Sequence, residues 1–238
     1  DDETLWRHAI EITPPNTQTE GALGNALAHR GRLDEAIAHF HKGIAISPES
    51  GLFNNLALTY AQQERLDDAI AEYRRAIELE PDASSFHANL AEALARQKKF
   101  TESQQEYDRA LELDPRNAIA HCGLSRLMVF EGKIEEARTE LRRAIRLDPR
   151  YIVAHNNLGG TYLEAGEFRQ SIPFFETALA IDPNYVTARM NLGRAYAGLG
   201  NRERALAELR QALKLDPNRA DAQEELDKLL GVGTKPSP

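Results

Sequence analysis

Along the chain, large and small apolar residues return at i, i+3, i+4 and i+7, break for a few polar residues, and then return with the same spacing. Phe53, Leu56, Ala57 and Tyr60 form one such set, and Ala69, Tyr73, Ala76 and Ile77 the next. This spacing keeps one face of an α-helix apolar, whereas a half-buried strand would alternate every second residue. Gly31, Gly132, Gly166 and Gly200 fall in the breaks, where a left-handed helix end suits glycine. A proline then stops each second helix. The pattern predicts helical hairpins, one after another.

The prolines set the period. Pro14, Pro48, Pro81, Pro115, Pro149, Pro183 and Pro217 are separated by 34, 33, 34, 34, 34 and 34 residues. Aligned on them, six units begin near Thr17, Ser50, Ser84, Ala118, Ile152 and Val186. Position 7 of each unit is Leu (Leu23, Leu56, Leu90, Leu124, Leu158, Leu192), and position 8 is small (Gly24, Ala57, Ala91, Ser125, Gly159, Gly193). Position 11 is large (Leu27, Tyr60, Leu94, Met128, Tyr162, Tyr196), so knobs and sockets alternate along one helix face. A fixed period of this length is the mark of a repeat array.

The pattern resembles the tetratricopeptide repeat, whose unit carries large-x2-Leu-Gly-x2-Tyr, then Ala-x3-Phe, Ala and Pro. The resemblance covers residues 17–217. It implies an all-α fold, a right-handed superhelical solenoid of stacked helix-turn-helix hairpins, with units at about 17–49, 50–83, 84–117, 118–151, 152–185 and 186–219. Departures are few. Position 4 holds Glu20, Phe53, His87, His121, His155 and Arg189 in place of the favoured Trp, and position 20 is Ser103 or Ser171 in two units. Residues 1–14 match only a second helix, with Asp2, Trp6, Ala9 and Ile10 at its inner positions. The expectation is a truncated preceding repeat, with the natural protein continuing upstream. Residues 220–230 match a first helix whose position 8 is Asp227, as a solvated capping helix allows, and 231–238 are expected to form a flexible tail.

Charge and chemistry narrow the function. An apolar fraction of 42% suits a packed protein, and 37 acidic against 29 basic residues give a formal net charge of −8. With no basic stripe, nucleic acid is not an expected partner. No apolar run approaches the roughly 20 residues that span a bilayer, so direct membrane insertion of this stretch is not expected. Cys122 is the only cysteine, which excludes an internal disulfide and a cysteine-rich zinc site. It leaves the compartment open, cytoplasmic or periplasmic.

His87, His121 and His155 recur at position 4, yet equivalent positions in stacked hairpins lie roughly 10 Å or more apart, against the roughly 2 Å that zinc ligation needs. His39 and His41 face different ways on one helix, and His121 beside Cys122 lacks an orienting acid. The glycines of HNNLGG at 155–160 lie inside a helix with no strand before them, so they are not a phosphate cradle. No enzyme and no cofactor or metal site are expected in these residues.

The resemblance further implies that positions 2, 5, 6, 9, 12 and 13 of the first helices face a concave groove. Position 6 is Asn55, Asn89, Asn157 and Asn191 in four of six units, flanked by Asn54 and Asn156 at position 5. A primary amide offers both donor and acceptor to the main chain of an extended ligand; the alternatives are that asparagine is a common soluble filler at this position or that these amides bond within their own repeats. The arrangement resembles the asparagine ladder in the repeats of the O-linked N-acetylglucosamine transferases. Ile119, Cys122, Val129, Phe130, Val153, Leu163 and Met190 form a candidate apolar stretch. Arg96, Arg126 and Arg194 could anchor carboxylates, balanced by Glu92 and Glu164, while Asn156, Asn157 and Gly160 are expected to face the groove and Gly159 to pack. A chaperone-tail clamp is not expected, because position 5 never supplies its lysine.

The leading expectation is a scaffold that binds a protein or extended peptide in the groove. One alternative is an accessory, partner-recruiting domain of a larger membrane-embedded glycosyltransferase, since ETLWRHAIEI resembles the segment before the repeat tail of bacterial relatives of the transmembrane and tetratricopeptide-repeat mannosyltransferases. Another is self-association into a homo-oligomer, through Trp6 or the apolar stretch.

Overall fold

A computed structural model describes Thr4 and residues 16–231. The structure-bearing expectations for Asp2, Trp6, Ala9, Ile10 and residues 232–238 lie outside the described residues. Among the described residues the regular structure is thirteen α-helices with no strand: α1 (Thr17–His29), α2 (Leu33–Ile46), α3 (Ser50–Gln62), α4 (Leu66–Leu79), α5 (Ser84–Arg96), α6 (Phe100–Leu113), α7 (Ala118–Phe130), α8 (Ile134–Leu147), α9 (Ile152–Glu164), α10 (Phe168–Ile181), α11 (Val186–Gly198), α12 (Arg202–Leu215) and α13 (Ala220–Leu230). The all-α expectation holds. Two compact units divide after Gly123, inside α7. In the first, α1 packs on α2, α3 on α4 and α5 on α6, and each second helix touches the next first helix. In the second, α9–α10 and α11–α12 pair in the same way, and α13 closes on α12.

The turn inside each hairpin has one chemistry. Position 15 is left-handed in all six units: Gly31, Gly132, Gly166 and Gly200 have φ of 74–79°, and Glu64 and Lys98 take the same region at 60° and 62°. The reason is a helix-ending bond in which the N–H of position 16 returns to the carbonyl of position 11. It is made by Arg32, Arg65, Lys99, Lys133, Glu167 and Asn201 at 2.8–3.0 Å, and only a left-handed residue before it bends the chain far enough.

The turn between units is closed by side chains. Asp114, Asp148, Asp182 and Asp216 each accept an N–H from two residues ahead at 2.9–3.2 Å, an Asx turn spanning the proline. Position 4 reaches back to the same turn. The Nε2 atoms of His87, His121 and His155 lie 3.0–3.1 Å from the carbonyls of Pro81, Pro115 and Pro149, and Arg189 donates to Pro183 at 2.6 Å. The histidines are thus turn clasps. Among the described residues no group of three or more His, Cys, Asp or Glu side chains is placed to hold a metal.

Position 4 also meets position 23 of its own hairpin, with the acidic member now on one side and now on the other. Glu20 faces His39 at 2.6 Å, His87 faces Glu106 at 2.6 Å, and Arg189 donates to Glu208 at 3.1 Å. In the fifth unit the partner position is Phe174, which stacks on Tyr162 at 5.5 Å instead. His155 Nδ1 is consequently buried without a hydrogen-bond partner.

Inside each hairpin the small residue at position 8 receives the bulky one at position 24. A Cβ on Gly159 would stand 2.7 Å from the Phe175 ring, and one on Gly24 would stand 2.6 Å from Phe40. Phe40 and Phe175 are fully buried, each contributing about 1.5–3 kcal/mol of transfer free energy. Ser103, one of the departures at position 20, is buried and donates to the Ala91 carbonyl at 2.7 Å. Tyr107 accounts for another irregularity: its ring would meet a Cβ on Gly123 at 2.1 Å, so position 6 of the fourth unit must be glycine where four others carry asparagine.

Candidate functional site

In the second of the two compact units, from Leu124 onward, the first helices line a cavity of about 280 Å³. The end of α7 contributes Ser125, Arg126 and Val129; α9 contributes Asn156, Asn157, Gly160, Thr161, Leu163 and Glu164; α11 contributes Asn191 and Arg194; and Leu141 of α8 forms part of the floor. Positions 5, 6, 9, 12 and 13 therefore converge. One helix repeat places them on one face, and stacking brings equivalent faces side by side.

The amides are wired to one another. Asn191 donates its Nδ2 to Asn156 Oδ1 at 3.1 Å, and Asn156 donates to Asn157 Oδ1 at 3.4 Å. The first unit repeats the arrangement: Asn89 donates to Asn54 at 2.9 Å, and Asn54 to Asn55 at 3.3 Å. Each relay joins position 6 of one repeat to positions 5 and 6 of the preceding one, across 35 residues of sequence. Asn54, Asn156 and Asn191 are buried, and Asn55, Asn89 and Asn157 half-buried. The four position-6 residues therefore form two inter-repeat relays. Bonds confined to single repeats, the alternative weighed from sequence, are only one of their links. Asn55 also lines a smaller cavity of about 150 Å³ with Asn25, His29 and Thr59.

The charged rim of the larger cavity is Arg126, Arg194 and Glu164, with Arg194 Nη2 donating to Glu164 Oε1 at 3.2 Å. Behind the wall sits a residue that sequence reasoning passed over. Arg138 of α8 is buried and donates to the Thr161 hydroxyl at 3.2 Å, to the Thr161 carbonyl at 3.1 Å, and to Glu167 and Glu135 at 2.7 Å each. Its guanidinium lies 4.0 Å from the Tyr162 ring centroid. Paired through four N–H bonds and stacked, it fixes α9 against α8. An arginine at an inward helix position was the available signal.

One expected groove residue is buried in the core, and another lies outside this cavity. Met190 is buried among Leu209, Ala212, Ala222 and Leu226, because α12 and α13 cover that side of α11; it belongs to the core and not to the groove. Phe130, at the last turn of α7, is 73% exposed and outside the cavity. Of the apolar stretch, Cys122 and Leu163 are buried, while Ile119, Val129 and Val153 are exposed.

Sequence models described as the tetratricopeptide repeat match residues 21–47, 54–118, 130–166 and 162–229. The chain is built of tetratricopeptide repeats. No curated protein sequence matches it significantly, but solved structures do. A chain of the APC/C hetero-tetramer Cut9-Hcn1 aligns over 95% of this tetratricopeptide-repeat chain with a TM-score of 0.84 and 16% identity, and this chain spans 45% of that one. A tetratricopeptide repeat protein from Parabacteroides merdae aligns over 96%, with a TM-score of 0.76, 16% identity and 91% of its own length covered. YrrB, a tetratricopeptide-repeat protein with an unusual peptide-binding site, aligns over 78%, with a TM-score of 0.51, 24% identity and 96% of its length covered. At these identities the likeness establishes the fold. No helix among the described residues is long and apolar enough to cross a membrane.

Proposed function

We propose that this chain is an interaction scaffold that binds an extended peptide, or an extended segment of a partner protein, at the cavity of its second unit. The observation that carries the reading is the convergence of Asn157, Asn191, Arg126 and Arg194 with the apolar Val129 and Leu163 on one cavity. Such a mixture, apolar walls with a few placed polar groups, is what ligand sites share. The amides can pair with a peptide main chain of any sequence. The relay holds Asn156 and Asn191 in place before binding, which lowers the entropy lost when a ligand arrives. YrrB, with the same fold, is itself described by its peptide-binding site.

The reading is tested with an array of tethered decapeptides of randomised sequence, probed with labelled protein. Asn157→Ala is the informative variant. Its side chain is half-buried, so its removal should leave helix content unchanged while array binding falls several-fold. Equal binding by wild type and variant, or no binding by wild type, would refute the site.

A further inference from the structure

The cavity of α7, α9 and α11 lies where two side chains are small for their positions. Position 24 is aromatic in four of the six repeats, as Phe40, Tyr73, Tyr107 and Phe175, and leucine at Leu141 and Leu209. Leu209 is covered by Met190 and Leu226, whereas Leu141 is part of the cavity floor. Position 9 of the following repeat, also on the cavity, is Gly160, where the other repeats carry Asn25, Leu58, Glu92, Arg126 and Arg194. Glycine is a poor helix former inside α9, and a Cβ built on Gly160 meets nothing within 4 Å. Packing does not demand it. The space has a counterpart one repeat earlier, and there it is filled. The Tyr107 ring would overlap a Cβ on Gly123, position 6 of the next repeat, and its hydroxyl donates to Glu92, position 9 of its own, at 3.0 Å. The equivalent neighbours of Leu141 are Asn157 and Arg126, and both line the cavity. Leu141 thus leaves open the room that an aromatic ring takes from inside in the third repeat.

Resting on the peptide-binding reading above, we infer that this cavity is a subsite for an aromatic side chain of the bound peptide, a Phe, Tyr or Trp whose ring enters beside Gly160 and lies over Leu141. An apolar cavity of about 150 Å³ already admits benzene, so the volume of about 280 Å³ here takes a larger ring. The apolar wall is Val129, Leu141, Leu163 and the bare backbone of Gly160. Much of the polar wall is already engaged: Asn191 with Asn156, Asn156 with Asn157, Thr161 with the Leu158 carbonyl and Arg194 with Glu164. Those bonds leave a charged ligand side chain little to gain. They do not hinder a ring, because a guanidinium paired at its edge still offers its face to an aromatic. Arg138 does this within the protein, 4.0 Å from the Tyr162 ring centroid while bonded to Glu135 and Glu167. At the cavity rim Arg126 and Arg194 stand ready to flank a ligand ring in the same way.

The test uses a second array of tethered decapeptides, with one interior position fixed as Phe, Tyr, Trp, Leu, Ala, Glu or Lys and the rest randomised. Wild type should enrich the aromatic residues about threefold or more over Leu, the margin that ring contacts add to plain burial, and by more over Ala, Glu and Lys. Leu141→Phe supplies the ring from below. It should bring binding of the aromatic peptides down to the level of the Ala set, while a filled cavity holds or raises the melting temperature. Gly160→Leu closes the space from α9 and should do the same with helix content kept, so the test stands even where Leu141→Phe fails to fold. Equal enrichment of Leu and the aromatic residues, a preference for Glu or Lys, or an aromatic preference that survives Gly160→Leu overturns the subsite and leaves the scaffold reading standing. An absence of any peptide binding by wild type overturns the scaffold reading and the subsite with it.

Discussion

Asn191→Ala is expected to cost stability that its position on a groove would not suggest. The amide is only 8% exposed and donates to Asn156, itself 7% exposed, at 3.1 Å. Removing it forfeits one neutral hydrogen bond and leaves the Asn156 carbonyl oxygen short of a donor, together about 1–3 kcal/mol. Asn156→Ala should cost a similar amount, since it also severs the link to Asn157. The double variant should cost less than the sum by about 1 kcal/mol, because replacing both partners removes the unpaired acceptor along with the bond. Urea unfolding of wild type, the two single variants and the double variant measures this cycle, with amide hydrogen exchange localising the loss to α9 and α11. Asn89 and Asn54, bonded at 2.9 Å, provide an independent second cycle. Coupling below about 0.3 kcal/mol in both pairs would show that the relays carry no energy and that the buried asparagines need another explanation.

Three further outcomes are expected. Met190→Ala should destabilise by about 2–5 kcal/mol, since the side chain fills the core against Leu209 and Leu226; Phe130→Ala, at a residue 73% exposed, should stay within about 0.5 kcal/mol, and thermal melts separate the two. Glu64→Gly and Lys98→Gly should each stabilise, because residues with φ of 60° and 62° pay about 1 kcal/mol that glycine does not; unchanged or lowered melting temperatures would count against the strain. Gly123→Ala should destabilise by about 1–3 kcal/mol or more by driving a Cβ to 2.1 Å from Tyr107, and a smaller Tyr107→Leu side chain in the same chain should recover part of the loss.

The fold was legible because each repeat states the same local rules six times. Leu at position 7, a small residue at position 8 and a bulky one at position 24 are side-chain volumes, which can be read from letters. The left-handed turn at position 15 was legible only where glycine marked it. At Glu64 and Lys98 the tertiary fit and the bond from position 16 to position 11 override residue preference, so nothing at those two positions announces the conformation. Helix spacing argues against a shared metal at the position-4 histidines, but their bonds to proline carbonyls six residues back depend on a turn geometry that letters do not carry.

The site was legible by phase and misread by depth. Helical phase placed Asn156, Asn157, Gly160, Arg126 and Arg194 on one face, and the cavity gathers them. Phase cannot say how far the next repeat advances over that face. Met190 is one step from Asn191 along α11, yet α12 and α13 bury it, and the same stacking carries Asn191 onto Asn156. The clue to that contact was present in an unused form: an Asn-Asn pair at positions 5 and 6 is followed by Asn at position 6 of the next unit twice, at 54–55 with 89 and at 156–157 with 191. A ligand-facing ladder asks only for position 6. A doublet answered by a singlet one repeat later asks for a seam between repeats, and a seam of buried amides holds the faces of neighbouring first helices in register.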